Sequence, residues 1–396
     1  MSGAVCAFNP SLSIPIPLPS LRSAVLLVGV AIALTSCETE TIGARMANDK
    51  ALKPPPTTVE ETFGRGSIEI TLALTKAQSG YYEGAAKDIR DGAALAIREL
   101  DEAGSMKIKV VDVAAGASAV TGMISAANSR SSGLLVAFAP QATTAAIAAT
   151  APDLRPPLIN LGMPVSGPKT FNFGFDEIAS AARGARRVIG AGQKTIVVLA
   201  PTGLGASEET SLRTSIAQAG GSVTGVIRYD AGSVSEALVR SKPMIDAANA
   251  AVVTGDGAVI GSVLKTLRAT SATLQIVGTS HWPTSIYADP AAANAIIATA
   301  DPEAMNTVGA RYEAANKRPF SIHAALGYDS IAMTAGIVRS GGSAVITPEA
   351  LTSKTGFRGV TGLFRLTATG TIERRLGVYK IEGRRLVSLE AGSESF

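Results

Sequence analysis

Residues 67–104 read SIEITLALTKAQSGYYEGAAKDIRDGAALAIRELDEAG. Ile68 to Leu74 is a short apolar run of the kind that forms a buried strand. After Ser79-Gly80 the period changes, and Ala85 to Ala103 sets apolar residues at helical spacing with charges between them. A buried strand followed by an amphipathic helix is the unit of a parallel sheet covered by helices. The alternation continues outward, with strands expected at 108–113, 134–137 and 158–160 and helices at 119–129 and 143–149. A second series follows. It has helices at 178–191, 207–219 and 259–269, and strands at 195–200, 223–228, 250–254 and 274–277. The breaks fall at Gly/Pro-rich clusters such as Gly162 to Pro168 and at His281 to Pro283. The fold class is therefore α/β, with two doubly wound parallel-sheet lobes joined by a hinge and a cleft between them as the natural ligand site.

Past Asp301 the pattern changes to two helices, 302–316 and 321–338. Residues 360–366 and 376–381 then read as a β-hairpin around Thr369-Gly370. A chain that ends in antiparallel strands after α/β units crosses back between lobes, so each lobe is discontinuous. The expected division is 67–174 plus 281–345 for the N-terminal lobe and 175–280 plus 346–396 for the C-terminal lobe.

Composition narrows the chemistry. With 396 residues the chain is too long for one ordinary core, and it carries 46% hydrophobic and 17% charged residues, which excludes disorder. Its 36 Lys and Arg against 32 Asp and Glu leave +4, spread along the chain with 5% aromatics, a poor footprint for nucleic acid. Cys6, Cys37, His281 and His323 lack zinc-ligand spacing. No metal or other cofactor is implied.

The first residues read as an address. Ala24 to Leu34 is an eleven-residue apolar run between Arg22 and Thr35-Ser36-Cys37. As a helix it reaches about 17 Å, against a hydrocarbon core of about 30 Å, so it does not span alone. Leu34-Thr35-Ser36-Cys37 looks like a bacterial lipobox, which makes 1–36 a lipoprotein signal peptide and Cys37 the lipidation site. Residues 37–66, polar and interrupted by Pro54-Pro55-Pro56, read as a flexible tether. The expected location is periplasmic and lipid-anchored. Glu38 after Cys37 does not look like the Asp signal for inner-membrane retention, which favours the outer membrane.

The body resembles the type I periplasmic-binding-protein family of the leucine/isoleucine/valine-binding sort. Ser79-Gly80 followed by Gly92 to Ala96 is similar to that family's opening turn and first helix. ELDEAG at 99–104, Asp112 at the close of the second strand, and GFRGVTGLFRLTATGTIERRLGVYKIEG at 356–383 are similar to further family features. The resemblance implies a non-catalytic binding lipoprotein that captures an amino acid or related small solute and presents it to an ABC permease. The final strands and the lipobox also look like lipoproteins known as penicillin-binding protein activators. That implies the alternative, a regulator of a peptidoglycan synthase with a penicillin-binding protein as partner and no small-molecule ligand.

Candidate ligand contacts follow from the positions where family members meet their ligands. The loop AFAPQATTAA (137–146) departs from the usual run of Ser and Thr, and Pro140 removes one N–H. Thr143 and Thr144 remain as hydroxyl donors at a helix N-terminus, a sound place for a carboxylate. Gly162 opens the break after the strand at 158–160. Leu204 stands where the family often has an aromatic residue. Asp256, in Gly255-Asp256-Gly257, has two readings, a partner for a ligand ammonium or a plain turn and cap. Tyr81, with Tyr82, either covers an apolar ligand side chain or is an ordinary surface aromatic. Trp282 reads as a hinge or cleft-wall residue.

Other motifs carry less. GLGASEE (203–209) mimics a dinucleotide fingerprint, but Glu208 replaces the third glycine. Ser280-His281 has no nucleophile elbow and no oriented third group, and His323 in an apolar helix reads as structural. The arginines 358, 365, 374, 375, 384 and 385 read mostly as a solvated strand face.

Overall fold

A computed structural model of the chain describes residues 59–75, 81–113, 117–255, 257–341 and 346–396. The signal segment, Cys37 and residues 38–58 of the expected tether lie outside the described residues, as does Asp256.

The first sheet is built around β2 (Ile68–Leu74), buried at every position. It runs parallel to β3 (Met106–Asp112) on one side and β4 (Leu134–Phe138) on the other. β5 (Leu158–Asn160) and β6 (Thr170–Asn172) extend the parallel run beyond β4. β1 (Val59–Gly64) closes the opposite edge antiparallel to β3. The expected tether therefore ends before Val59, because residues up to Gly64 hydrogen-bond into the sheet. Between the strands run α1 (Tyr81–Leu100), α2 (Ala117–Ser129) and α3 (Gln141–Ala149).

The second sheet repeats the scheme. β7 (Thr195–Pro201) is flanked in parallel by β8 (Ser222–Tyr229) and β9 (Ala250–Val253). β10 (Gln275–Gly278) and β11 (Ile296–Thr299) continue it. Its helices are α4 (Glu177–Gly190), α5 (Ala206–Gln218), α6 (Val234–Arg240), α7 (Lys242–Asp246) and α8 (Gly257–Thr270).

Residues 281–300 were expected with the first lobe. They pack instead on the second, because β11 pairs in parallel with β10, and Trp282, Ile286 and Ala292 join the second core. The chain then returns. α9 (Pro302–Asn316) and α10 (Ile322–Gly341) cover the first sheet, and α10 lies directly on α1. Glycines permit that approach, since a side-chain carbon at Gly327 would come within 2.9 Å of the Ile89 backbone.

Residues 346–374 also differ from expectation. Ile346, α11 (Pro348–Leu351), β12 (Phe357–Gly359), β13 (Gly362–Leu366) and β14 (Ile372–Arg374) belong with the first lobe, where Leu351, Val360, Phe364 and Leu366 enter its core. The hairpin around Thr369-Gly370 joins β13 to β14 and not to 376–381. β15 (Gly377–Glu382) crosses to the second sheet, antiparallel to β11, and pairs with the edge strand β16 (Arg385–Glu390). A β-hairpin pattern in sequence does not distinguish one pair of strands from two strands that leave for different sheets.

The chain thus crosses between the lobes at 173–176, 300–301 and 375–376. In each sheet the strand order reverses between two neighbouring strands, β2 and β4 in the first and β7 and β9 in the second. The crevices outside the carboxyl ends of these strands are where open α/β sheets take ligands.

Candidate functional site: two switch-point rims and a hinge

On the first lobe the rim follows β4 and β5. α3 begins at Gln141 behind Pro140, with no side-chain cap on its first turn. Thr144 is fully buried; its hydroxyl donates to the Ala139 carbonyl at 3.3 Å and its N–H to the Pro140 carbonyl at 3.0 Å. It is therefore not offered to a ligand, a correction that follows from its place on the inner face of the helix. Thr143 is also buried, at 6% exposure.

The loop after β5 is braced by two asparagines. Asn160 Oδ1 accepts from the Gly162 N–H at 2.9 Å, and Asn160 Nδ2 donates to the Met163 carbonyl at 2.7 Å and to Asn172 Oδ1 at 2.8 Å. Met163, whose carbonyl accepts from Asn160, is 60% exposed. Beside it an open groove of about 660 Å³ is lined by Gln141, Ala142, Val165, Asn172 and the hairpin tip at Thr369 and Thr371. Tyr81 opens α1, and the Tyr82 ring packs 5.5 Å from Phe138, which meets His323 edge-on at 5.7 Å. Burial holds the His323 imidazole below its ordinary pKa, with Asp88 opposing.

On the second lobe one side chain ties the rim together. Glu177, in the first turn of α4, accepts at Oε1 from the Gly255 N–H (2.7 Å) and the Thr279 hydroxyl (2.9 Å). Its Oε2 lies 3.8 Å from His281 Nδ1, and His281 Nε2 lies 3.0 Å from the Phe175 carbonyl in the first crossover. Ser180 of the same helix accepts from the Ser280 N–H at 2.8 Å and donates to the Ala298 carbonyl at 2.6 Å. Neither Glu177 nor Ser180 was a candidate from sequence. The acidic pair Asp176-Glu177 at a helix start reads simply as capping.

Trp282 is not a cleft wall. It is 3% exposed, packs over Gly278 and donates Nε1–H to the Val253 carbonyl at 3.1 Å, so it fills the second core. Leu204 is half-buried against that lobe's helix-side cluster, and its carbonyl accepts from Arg228 at 2.7 Å. In GLGASEE, Glu208 accepts from the Gly205 N–H at 2.8 Å and sets its carboxylate at the start of α5. A pyrophosphate would meet that negative charge. Ser280-His281 does not form a nucleophile-base chain, because the imidazole is engaged by Phe175 and Glu177 while Ser280 Oγ is buried with no hydrogen-bond partner among the described residues. Among the described residues no cluster of three His, Cys, Asp or Glu could hold a metal ion. Nor is any helix among them long and apolar enough to cross a membrane.

Between the rims, the hinge centres on Arg374. Its guanidinium stacks at 4.5 Å from the Phe175 ring centroid and 5.2 Å from those of Phe173 and Phe364. It donates to the Phe173 carbonyl and to Thr361 Oγ1, each at 2.6 Å. The residue is half-buried with its Nε shut off from solvent, and burial pushes the guanidinium down to about 10. Asp329 is wholly buried nearby and accepts from the Val360 and Thr361 N–H groups at 2.7 and 2.9 Å. Burial raises its carboxyl pKa against these hydrogen bonds. Arg374 thus leaves the solvated face on which the sequence pattern set it, because the crossover turns it into three aromatic rings.

Two α/β sheets, three crossovers and paired switch-point rims agree with a match to the periplasmic binding protein model over residues 69–385. The chain belongs to the periplasmic binding protein family. No curated protein matches its sequence. Solved structures of similar fold include a branched-chain amino acid ABC transporter periplasmic ligand-binding protein from Burkholderia xenovorans. It is 16% identical with TM-score 0.68, over 83% of this chain and 96% of that one. A leucine-binding protein from Thermotoga maritima is 16% identical with TM-score 0.60, over 83% and 99%. A solute-binding protein of an ABC transporter from R. palustris, in complex with benzoate, is 18% identical with TM-score 0.63, over 84% and 98%. At these identities the likeness concerns the fold, and the periplasmic binding protein fold is what places the two rims on either side of a hinge.

Proposed function

We propose that this periplasmic binding protein captures a small organic acid, an amino acid or a related compound, between its two rims and delivers it to an ABC importer from a lipid anchor on Cys37. The observation that supports the reading best is the pairing of the two switch-point crevices across a three-strand hinge, since a ligand that touches both rims favours one lobe arrangement over others. The uncapped first turn of α3 supplies N–H groups suited to a carboxylate. Exposed Met163 supplies an apolar neighbour for the body of the ligand. Leucine and benzoate, bound by relatives of this fold, share that combination of carboxylate and apolar body. Asp256, between Gly255 and Gly257, would pair with an ammonium if the ligand has one.

Isothermal titration of the mature protein with branched-chain amino acids and with benzoates tests the proposal. Saturable heat with one class is the expected result and names the ligand. No heat and no thermal shift with any of them, together with recovery of a penicillin-binding protein from envelope extracts, would replace it with the synthase-regulator reading.

A further inference from the structure

The segment after β16 leaves the second lobe and returns to the first. β16 is anchored on α4 through Glu390, which pairs with Arg183 at 2.7 Å and Arg187 at 3.2 Å. Farther along, the Phe396 ring lies under two guanidinium groups of the other side. Arg365 of β13 sits 4.4 Å from its centroid and Arg375 of the third crossover 4.6 Å. Gly356 faces the same ring, and a side-chain carbon there would come within 2.6 Å of it, so that glycine keeps the seat open. The Ser395 carbonyl accepts from Arg375 Nε at 3.1 Å, and Glu394 pairs with Arg358. Arg365 and Arg358 belong to the small sheet whose Phe364 and Leu366 are part of the first core.

We propose that residues 391–396 act as a strap across the hinge, holding the lobes in their observed arrangement through the seat of Phe396. The geometry supports a mechanical role. Rotation about 375–376 carries β16 with the second lobe while the Phe396 seat stays with the first, so the short segment between them must slide or release. The ring carries more of the tie than the ion pair does, because Arg358 and Glu394 are 58% and 82% exposed and such pairs contribute little. A ring held by two cations gains from both. Arg374 and Arg375 divide the work along the crossover, one stacked inward on Phe173 and Phe175, the other outward on Phe396.

Spin labels at exposed Asp153→Cys in the first lobe and Glu236→Cys in the second, in the full chain with Cys6 and Cys37 replaced by Ser, read the interlobe distance without ligand. Phe396→Ala should broaden the distribution and change the weight of the minor arrangement by roughly three- to tenfold. Arg365→Gln, which also gives up the Glu373 and Lys354 contacts made within the first lobe, removes one of the two cations and should give a smaller change in the same direction, and Arg358→Ala little. Unchanged width and weights in both Phe396→Ala and Arg365→Gln would overturn the strap. An equal effect from Arg358→Ala would overturn the role given to the ring. Because no ligand enters the measurement, either failure leaves the solute-binding proposal standing.

Discussion

Glu177 Oε1 accepts the Gly255 amide hydrogen across 2.7 Å, so the first turn of α4 fixes the loop that follows β9. The same oxygen holds the Thr279 hydroxyl after β10, and the carboxylate therefore sets two strand-end loops from a helix that enters directly from the first crossover. Gly255 sits at φ +115°, a backbone conformation that side-chain-bearing residues rarely adopt, and Glu177 holds its N–H while the Leu199 carbonyl holds Thr254 before it. Glu177→Ala leaves an N–H and a hydroxyl without that partner. The expected cost is about 1–3 kcal/mol for each group that water does not reach. Thermal melting of the variant should fall, and amide exchange at 255 should accelerate. Glu177→Gln keeps an acceptor oxygen and should recover most of both. Equal exchange at 255 in all three proteins would show that the loop does not depend on this contact.

Arg374 at the hinge should be intolerant even of lysine. Lysine keeps the charge but not the planar fork that bonds Phe173 and Thr361 while stacking on the rings. Loss of the arginine removes two charge-assisted hydrogen bonds, each typically worth about 1.5–3 kcal/mol, and the favourable charge beside buried Asp329. We expect Arg374→Met to lower the melting temperature strongly, and Arg374→Met with Asp329→Asn to lower it less than the sum of the single changes. Strict additivity in chemical denaturation would remove the coupling.

The lobes themselves are legible because each depends on local periodicity: residues 68–74 and 195–200 are apolar runs followed by helical stretches, and both form interior strands with a parallel neighbour on either side. What periodicity does not encode is which sheet a late strand joins. Residues 296–299 and 377–382 pair with each other across a large sequence separation, so their lobe is fixed by tertiary register alone. The site suffers the same limit. Trp282 follows a strand, where a cleft residue is expected, yet its indole turns back over Gly278 into the core. Glu177 is hidden for the converse reason, since a helix-start acid looks local while its partners lie 78 and 102 residues away.

Acid should weaken the first lobe through His323. Its folded pKa is depressed, so above the ordinary value near 6.5 both folded and unfolded chains carry a neutral ring and the residue contributes no pH dependence. As pH falls below about 6.5 the unfolded chain takes up the proton first, and stability declines until the folded pKa is reached. Denaturant midpoints measured from pH 7.5 to 5 should therefore drop more steeply in the native protein than in His323→Gln, and parallel curves would rule out this source.

Cys37→Ser should leave the precursor without its lipid. The expectation rests on the four residues Leu34 to Cys37 and on no feature of the folded body. Mass spectrometry of the membrane fraction should find the acylated form only in the native sequence, and an identical mass and fractionation for the variant would refute lipidation there.

Trp282 is the sole tryptophan of the chain and lies in the second core, so its fluorescence should report that lobe separately from the first. A buried indole that donates to the Val253 carbonyl should emit at short wavelength and shift to the red when the second lobe opens. Far-UV circular dichroism follows both lobes. Coincident transitions by the two probes would mean that the hinge couples the lobes into one cooperative unit, while an earlier or later fluorescence transition would mean independent unfolding. Trp282→Phe removes the hydrogen bond and part of the ring that covers Gly278, which is expected to cost about 1–3 kcal/mol because the Val253 carbonyl is left without its donor in a buried place. That loss should appear in the melting temperature while binding of any ligand at the rims changes little once the protein is folded. A Trp282→Phe variant with native stability but reduced binding would reverse the assignment and return the side chain to the cleft.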